Sequence, residues 1–288
     1  PRNTRVCILE LGMNSPGEIK KFSEIAKPNV GIITNIGSAH AAKFKDLKNI
    51  AEEKSDIFSF FNEKSVAIIP FETKYYELVS KKASKKTKRI YSFGQNKNCD
   101  LRIITKEKLV TKFMVFNKEF SFKKSLSFNS WEQNIIIILG LIKILNIKIK
   151  NVIPSMTKLT PIEGRGKKFQ ITYNKKSFTL IDESYNSSPE SLAKAIENLK
   201  NLKFNHTRKI CVIGDMLELG KMSKSYHLKI VKTLLKTKPH IILTVGRYSN
   251  VIFERLPENF IKFHFKNYQN VFDKLLSIIK NDDIIMIK

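Results

Sequence analysis

Short apolar runs alternate with amphipathic segments along the first part of the chain. Continuous apolar runs predict strands, and apolar positions three and four residues apart predict helices. The predicted order is strand 6–11, helix 18–26, strand 30–35, helix 47–61 and strand 66–69. Because strands and helices take turns, we expect a parallel sheet with helices on its faces.

The pattern shortens between residues 91 and 128, where β-like pieces are separated by turns at Gly94 and Asn117. Pieces joined by such short turns predict an antiparallel patch within the same domain. A long apolar helix is then predicted from Trp131 to about Leu145. The first domain is therefore expected to be an α/β domain with a mostly parallel sheet and an antiparallel patch.

Glycine and proline interrupt the periodicity in the stretch 159–168, and we place a domain boundary there. The predicted domains are 1–158 and 159–288. The second again alternates, in the order strand 178–181, helix 189–202, strand 209–213, helix 222–235, strand 240–245, helix 271–279 and strand 283–287. This order predicts a Rossmann-like α/β domain.

The chain carries 52 Lys and Arg against 26 Asp and Glu, a formal net charge of +26. Nucleic-acid binding is one interpretation of this charge, and solvated lysine faces are the other. Arginine, which makes bidentate contacts to phosphates and bases, supplies only 8 of the 52 basic residues, and the lysines are spread over every segment. We therefore expect no nucleic-acid partner, although the charge can help to attract anionic substrates.

Neither a membrane span nor a disulfide framework is predicted. The longest apolar runs, such as 135–142, fall far short of the roughly 20 residues of a spanning helix, so we expect no membrane insertion. The three cysteines are far apart and odd in number, which favours a reducing, cytoplasmic setting. An apolar run follows Pro1 almost at once, and the last predicted strand ends with the sequence, so we expect a fragment of a longer protein.

Two strand ends of the first domain carry residues that are typical of metal sites. Glu10 lies near the end of strand 6–11, and His40 follows strand 30–35. The carboxyl ends of parallel strands meet at one edge of a sheet, where a carboxylate can hold Mg²⁺ beside a nucleotide. The alternatives are an acid that faces water and a polar loop histidine, but the pairing at one edge favours the metal site.

Lys54 lies on the apolar face of helix 47–61, which is formed by Leu47, Ile50, Ala51, Phe58 and Phe61. A lysine on such a face is unfavourable unless its side chain snorkels to water, its charge is paired or its amine is modified. The hydrophobic pattern leaves these three alternatives open.

Polar clusters also occur in the second domain. Arg165, one of the few arginines, lies at the domain junction, and a guanidinium suits phosphate. The cluster 182–186 follows strand 178–181, and Ser188 is predicted to cap the helix that begins next. The cluster 214–220 directly follows a strand as well. Each cluster could be an ordinary loop, but three at one sheet edge indicate a site.

These stretches together resemble the Mur ligases, ATP-dependent amide-bond ligases of peptidoglycan precursor synthesis. The segments that carry the resemblance are ELGMNSPGEI (10–19), ITNIGSAH (33–40), IAEEKSDIF (50–58), EGRG (163–166), LIDESYNSSPES (180–191) and GDMLELG (214–220). They follow the family's order and spacing over nearly the whole chain. The segments 182–186 and 214–220 favour the branch that adds D-alanyl-D-alanine to UDP-N-acetylmuramoyl-tripeptide.

The resemblance implies a mechanism and site residues. ATP would phosphorylate the terminal carboxylate of the UDP-linked tripeptide, and the amine of D-alanyl-D-alanine would attack the acyl phosphate. The implied roles are Mg²⁺ ligation by Glu10, His40 and Lys54 carboxylated on its nitrogen, adenine contact by Asn134, phosphate contact by Arg165, ribose contact by Asp182, and dipeptide contact by Tyr185, Asn186 and Ser187. Of these, Lys54, His40 and Arg165 are expected to be catalytic.

Two departures from the family pattern bear on activity. The family has a glycine-rich phosphate loop before the strand that carries Glu10, and this sequence has none. Ser130 stands where the family has a histidine. We therefore expect the 288 residues alone to lack ligase activity. We also expect the protein to be a monomer. Another Mur ligase and a non-catalytic nucleotide-binding relative are the alternatives, and the joint presence of the site residues favours the ligase.

Overall fold

The computed structural model describes residues 3–38, 42–106, 110–123, 131–156, 158–202 and 207–288. The chain forms two compact units. The first consists of Pro1–Lys123 and Trp131–Asn151, and the second includes Val152–Lys288. Within the described residues, each unit contains a six-stranded sheet.

The first unit contains the elements α1 (Glu18–Ala26), β1 (Val30–Ile32), α2 (Leu47–Ser55), β2 (Val66–Pro70), α3 (Tyr76–Ser84), β3 (Ile90–Gly94), β4 (Leu101–Lys106), β5 (Val110–Val115), β6 (Lys118–Lys123) and α4 (Glu132–Ile144). A 3₁₀ turn, Asp56–Phe58, extends α2. The strands lie in chain order from β1 to β6. Pairing is parallel from β1 to β4 and antiparallel from β4 to β6.

Burial differs between the parallel and antiparallel parts of this sheet. In β2 the residues from Val66 to Ile69 are all buried, as expected of a parallel strand covered on both faces. In β5 buried and half-buried residues alternate, as expected of an antiparallel strand with one face packed. Ala51 of α2 and Val79 of α3 share a core cluster with this sheet. The apolar face of α2 therefore points into the core, as predicted.

The predicted strand 6–11 is wrong. Residues 4–13 form neither helix nor strand, and the side chains of Val6, Ile8 and Leu9 are 53%, 83% and 59% exposed. A strand needs a neighbour that shares its backbone hydrogen bonds, and none of the described strands pairs with this segment. Its apolar composition therefore does not produce a buried strand here.

The second unit contains α5 (Ile153–Met156), β7 (Lys167–Tyr173), β8 (Lys176–Asp182), α6 (Pro189–Asn201), β9 (Lys209–Ile213), α7 (Ser223–Thr237), β10 (Ile241–Val245), α8 (Asn250–Arg255), β11 (Ile261–Phe265), α9 (Tyr268–Ile278) and β12 (Ile284–Ile287). Its strand order is β11-β10-β9-β12-β8-β7. All pairs are parallel except β7 with β8.

Helices cover both faces of the second sheet. Leu192 of α6, Ile230 of α7 and Ile252 of α8 belong to one core cluster. Val271 and Leu275 of α9 belong to a cluster on the other face. The chain moves outward from β8 to β11 through α6, α7 and α8, and α9 then returns it to place β12 between β9 and β8. The result is a doubly wound sheet, as predicted.

An ion pair between half-buried Arg208 and buried Asp283 lies at the amino edge of this sheet. Arg208 donates from Nε and Nη2 to the two carboxylate oxygens of Asp283, at 2.8 and 2.6 Å. Arg208 Nη2 also donates to Ile278 O at 2.8 Å, and Asp283 accepts from Lys280 N at 2.8 Å. The Asp283 side chain is 1% exposed. These bonds join the end of α9 to the starts of β9 and β12.

Several sequence predictions are confirmed to the residue. The predicted helix 18–26 and strand 209–213 coincide with α1 and β9. The antiparallel patch is confirmed, and Phe116 and Asn117 take positive φ in the two-residue turn between β5 and β6. Ser188 caps α6, because its side chain accepts a hydrogen bond from Ser191 N. Strands β7 and β11 were not predicted, and the division at 158 and 159 stays a prediction.

No helix among the described residues has both the length and the apolar character that crossing a membrane requires.

Candidate functional site

Three neighbouring strands of the second unit end at the carboxyl edge of its sheet. Asp182 ends β8, Gly214 and Asp215 follow β9, and Lys288 follows β12. Because these strands are parallel, the loops that follow them meet at one edge, where open α/β sheets bind ligands. The predicted clusters 182–186 and 214–220 thus lie at the same edge.

Asp182 holds the loop 163–166 against the end of β8. Its Oδ2 accepts from Gly164 N at 2.7 Å, and its Oδ1 accepts from the N and Oγ of Ser184 at 3.1 and 2.6 Å. Desolvation raises the pKa of Asp182, but these hydrogen bonds and the charge of Lys167 outweigh it and hold the pKa below its usual range. Asp182 is therefore ionised at neutral pH and serves as a hydrogen-bond acceptor.

Arg165 stacks on the ring of Tyr185, with 4.3 Å between Cζ and the ring centroid. Tyr185 is 68% exposed, and Arg165 is exposed as well. Gly164 lies at φ 73°, and a Cβ there would come within 2.7 Å of Tyr185 Cβ, so glycine allows the two loops to approach. A guanidinium stacked on a ring keeps its N–H edge free for an anion.

The predicted dipeptide contacts, Tyr185, Asn186 and Ser187, lie in one loop between β8 and α6. Asn186 Oδ1 accepts from Ser187 N at 2.7 Å. Ser187 Oγ is buried and has no hydrogen-bond partner among the described residues. Because an unsatisfied buried hydroxyl is unfavourable, this loop is held in its conformation by other contacts.

Lys288 supplies two of these contacts, and no role was predicted for it. Its Nζ donates to Glu183 O at 3.1 Å and to Asn186 O at 2.6 Å, and its own carbonyl accepts from Gly214 N at 2.8 Å. Burial lowers the pKa of the Lys288 amine and raises that of the Glu183 carboxyl. The sequence did contain a signal, because Lys288 directly follows an apolar strand. Polar residues also lie at or just after the ends of the neighbouring strands β8 and β9.

Asp215 joins the loops after β9 and β10. Its carboxylate accepts from three successive backbone N–H groups at 2.7–2.9 Å, those of Arg247, Tyr248 and Ser249. The neighbouring loop is held by buried His227, whose Nε2 accepts from Met216 N while Nδ1 faces Ser223 O. Burial lowers the pKa of His227, so its ring is neutral at pH 7. The hydrogen bonds of Asp215 and His227 thus hold these loops in place.

In the first unit, Lys54 is half-buried on α2, and its Nζ donates to Asn35 O at 2.8 Å, just beyond the end of β1. Burial lowers the pKa of the Lys54 amine. No described carboxylate lies within salt-bridge distance of it. Ion pairing therefore does not hold Lys54 among these residues, which leaves snorkelling and modification.

Glu53, next to Lys54, is only 6% exposed and accepts hydrogen bonds from the start of α1. Its Oε2 accepts from Gly17 N at 2.7 Å and its Oε1 from Ile19 N at 2.9 Å. A carboxylate at the amino end of a helix satisfies free N–H groups and complements the helix dipole. This contact joins residues 34 and 36 positions apart, so no local pattern predicted it.

The other predicted residues of the first unit are not brought together. Glu10 is exposed on the irregular segment before α1 and forms no hydrogen bond or ion pair with described residues. His40 lies outside the described residues. Asn134 is exposed in the first turn of α4. The placement of Glu10 at a sheet edge is therefore wrong here, because its strand is absent.

The described residues fit Mg²⁺ only through Lys54. No three His, Cys, Asp or Glu side chains converge among the residues that the structure describes. Burial raises the pKa of the Cys99 and Cys211 thiols to about 12, so neither is a thiolate ligand. The lowered pKa of Lys54 favours the neutral amine, which can take up CO₂ and become an oxygen ligand suited to Mg²⁺.

Comparison with known proteins gives two domain matches. Residues 1–141 match the Mur ligase middle domain, and residues 168–288 match the glutamate ligase domain of Mur ligases. The UDP-N-acetylmuramoyl-tripeptide–D-alanyl-D-alanine ligase of Rickettsia prowazekii is 30% identical over 291 residues, which cover 99% of this chain and 64% of that protein. The Bacillus subtilis ligase of the same name is 26% identical, over 100% of this chain and 62% of its own length. The chain thus spans less than two thirds of either relative.

Two solved structures share the fold. MurF from Acinetobacter baumannii superposes with a TM-score of 0.84 at 22% identity, over 97% of this chain and 60% of that one. MurF from Thermotoga maritima, solved in complex with ADP, gives 0.80 at 23% identity, over 96% and 61%. These two likenesses concern the fold. With its middle domain and its glutamate ligase domain both matched, the chain belongs to the Mur ligase family.

Proposed function

We propose that this chain is part of an ATP-dependent amide-bond ligase that adds D-alanyl-D-alanine to UDP-N-acetylmuramoyl-tripeptide. The observation that carries the proposal is the alignment of 99% of the chain with a Rickettsia prowazekii protein of that name. The edge of the second sheet supports it, because Arg165 places an exposed guanidinium beside the loop after β8, where it suits an anionic substrate.

In the proposed reaction, ATP transfers its γ-phosphoryl group to the terminal carboxylate of the tripeptide. The amine of D-alanyl-D-alanine then attacks the acyl carbon, and phosphate leaves from the tetrahedral intermediate. We assign Arg165 to the nucleotide phosphates, and Asp182 to a ribose hydroxyl because it is an ionised acceptor. We assign Tyr185, Asn186 and Ser187 to the dipeptide, supported by the exposed side chains of Tyr185 and Asn186.

The proposal also includes Mg²⁺ and an adenine contact, both assigned to residues of the first unit. Mg²⁺, when bound, stabilises negative charge on phosphoryl oxygens as a Lewis acid. We propose carboxylated Lys54 as a ligand, supported by the lowered pKa of its half-buried amine. Glu10 and His40 are proposed as the other two from the family resemblance of segments 10–19 and 33–40. Asn134 remains the proposed adenine contact. We also propose a monomeric, cytoplasmic protein, in keeping with three free thiols in the structure.

The test is ligation by the gene product that contains this chain. It is incubated with ATP, the UDP-linked tripeptide and D-alanyl-D-alanine, and mass spectrometry follows the UDP-linked pentapeptide while a coupled assay follows phosphate. Parallel reactions with L-alanine, D-glutamate or a diamino acid and their acceptors test the alternative of another Mur ligase. Nucleotide binding without any amide product would support the non-catalytic relative instead.

Replacing Arg165 by lysine is expected to lower turnover by about 10- to 100-fold, since a lost charge-assisted hydrogen bond is worth about 1.5–3 kcal/mol. Lysine keeps the charge but cannot reproduce the planar fork or stack on Tyr185 in the same way. The measurement is kcat for ATP-dependent ligation, with Arg247→Lys as the control, because Arg247 also lies near a tyrosine ring, at 5.8 Å. Unchanged kcat in Arg165→Lys would remove Arg165 from the nucleotide site.

A further inference from the structure

Lys288 connects the ends of three strands. Its backbone N donates to Val212 O at 3.0 Å in β9, and its backbone O accepts from Gly214 N at 2.8 Å. Its side chain reaches the other way, to the loop after β8, where Nζ donates to the carbonyls of Glu183 and Asn186. A single residue therefore fixes the loop 183–187 relative to the centre of the sheet.

The two carbonyls bound by Lys288 lie on either side of Tyr185. With Glu183 O and Asn186 O held at 3.1 and 2.6 Å from one ammonium, the backbone between them is closed into a tight loop. The side chains of Tyr185 and Asn186 are exposed, and so remain available to a ligand. The ammonium thus binds the backbone of the loop and leaves its side chains free.

Burying the charged amine of Lys288 is unfavourable, and packing alone does not explain why a lysine occupies this position. Its amine is partly buried, which disfavours the charged form, and Arg165 lies close enough to disfavour it further. Glu183 favours the charged form, and the two carbonyl acceptors add hydrogen bonds. An apolar side chain at the end of β12 would avoid this cost, so the lysine indicates a role in the loop.

Ser187 supplies an independent observation on the same loop. Its Oγ is buried without a hydrogen-bond partner among the described residues, and an unpaired buried hydroxyl is unfavourable. The loop is therefore kept in a conformation that its own polar groups do not favour. Such a conformation is typical of a binding loop that is fixed before its ligand arrives.

We propose that Lys288 is a positioning residue, whose ammonium holds the loop 183–187 in the conformation that presents the exposed side chains of Tyr185 and Asn186 to the incoming dipeptide. This proposal rests on the function proposed above. Lys288 does not touch the reacting atoms. It lowers the cost of ordering the loop when the dipeptide binds.

The experiment compares Lys288→Met and Lys288→Arg with Lys209→Met in the full gene product. Lys209 is the matched control, because its Nζ also donates to two backbone carbonyls, those of Lys200 and Leu202, at 2.6 and 2.7 Å. It lies at the start of β9, the opposite edge of the same sheet, and burial lowers the pKa of its amine as well. Methionine keeps the length of the side chain and removes the donors.

We expect the KM for D-alanyl-D-alanine to rise about tenfold in Lys288→Met, with the KM for ATP changed less than about twofold, because the unanchored loop must then be ordered when the dipeptide binds. Lys288→Arg should recover most of the affinity, because a guanidinium can reach both carbonyls. Lys209→Met should change neither KM. An equal rise of the dipeptide KM in Lys209→Met, or no rise in Lys288→Met, overturns the proposal.

Hydrogen exchange gives a second readout that does not depend on ligation. The amide of Tyr185 donates to Gly164 O at 3.1 Å in the ordered loop, so its exchange should accelerate about tenfold in Lys288→Met and not in Lys209→Met. If the unaltered protein forms no pentapeptide, the proposed function fails while the exchange result still decides whether Lys288 holds the loop. Unchanged exchange at Tyr185 in Lys288→Met overturns the proposal.

Discussion

Replacing Lys54 by alanine is expected to lower ligation by about a thousandfold, the scale of losing a principal charge-stabilising group. Replacing it by arginine is expected to do no better, because arginine keeps a positive charge where the proposal needs a carboxylate. The reason lies in the surroundings of the amine: it is half-buried, burial lowers its pKa, and its described partner is the carbonyl of Asn35. The neutral form that burial favours is the form that reacts with CO₂.

A small carboxylic acid such as formate or acetate should restore part of the activity of Lys54→Ala by supplying the missing oxygen ligand. The matched control is Lys82→Ala in the same unit, since Lys82 also donates to a backbone carbonyl, that of Glu52, at 2.8 Å. It should retain its kcat and show no response to the acid. Near-normal turnover of Lys54→Arg would contradict carboxylation. So would a bare amine seen both by intact-site mass spectrometry and in a structure determined in bicarbonate buffer.

Replacing Asp283 by alanine is expected to lower the free energy of unfolding by about 3 kcal/mol, the lower end of the range for breaking a buried ion pair, because the Arg208 side chain that remains is 26% exposed. Asp283 is 1% exposed and accepts two hydrogen bonds from Arg208 and one from Lys280 N. Its loss leaves the guanidinium with a single carbonyl, that of Ile278. Urea unfolding monitored by circular dichroism gives the measurement.

The double variant Arg208→Met with Asp283→Leu should lose less stability than Asp283→Ala, because it removes both charges together. Glu119→Ala is the surface control: the Glu119 and Lys112 side chains are 53% and 44% exposed, so removing their ion pair should cost at most about 1 kcal/mol. If Asp283→Ala costs no more than Glu119→Ala, the ion pair between Arg208 and Asp283 does not stabilise the start of β12.

Hydrophobic periodicity predicted helices and strands that pack against the core. It failed for a segment whose strand formation depends on pairing with a neighbouring strand. Helix α1 and strand β9 were predicted to the residue because their apolar positions are regular and their flanking residues polar. The run 6–11 has the composition of a strand, but pairing is a property of two segments, and no described strand supplies the second. Strand β11, with half-buried residues along most of its length, lacked a clear apolar signal.

The candidate site was predictable where its residues follow strands and not where distant residues meet. Asp182 ends β8 and Asn186 follows it, so their edge was predictable from topology. The hydrogen bond from Gly164 to Asp182 and the bonds from Lys288 to the same loop join residues 18 and more than 100 positions apart. Contacts of this kind depend on strand order, which places β12 beside β8 and which periodicity does not encode.

Two consecutive residues of α2 are tied to two different elements, Glu53 to the start of α1 and Lys54 to the end of β1. Successive residues of an α-helix point about 100° apart, so one rotational setting of the helix satisfies both contacts. An insertion or deletion of a single residue early in α2 would turn both side chains away at once. The length of this helix is therefore constrained beyond what hydrophobic packing imposes.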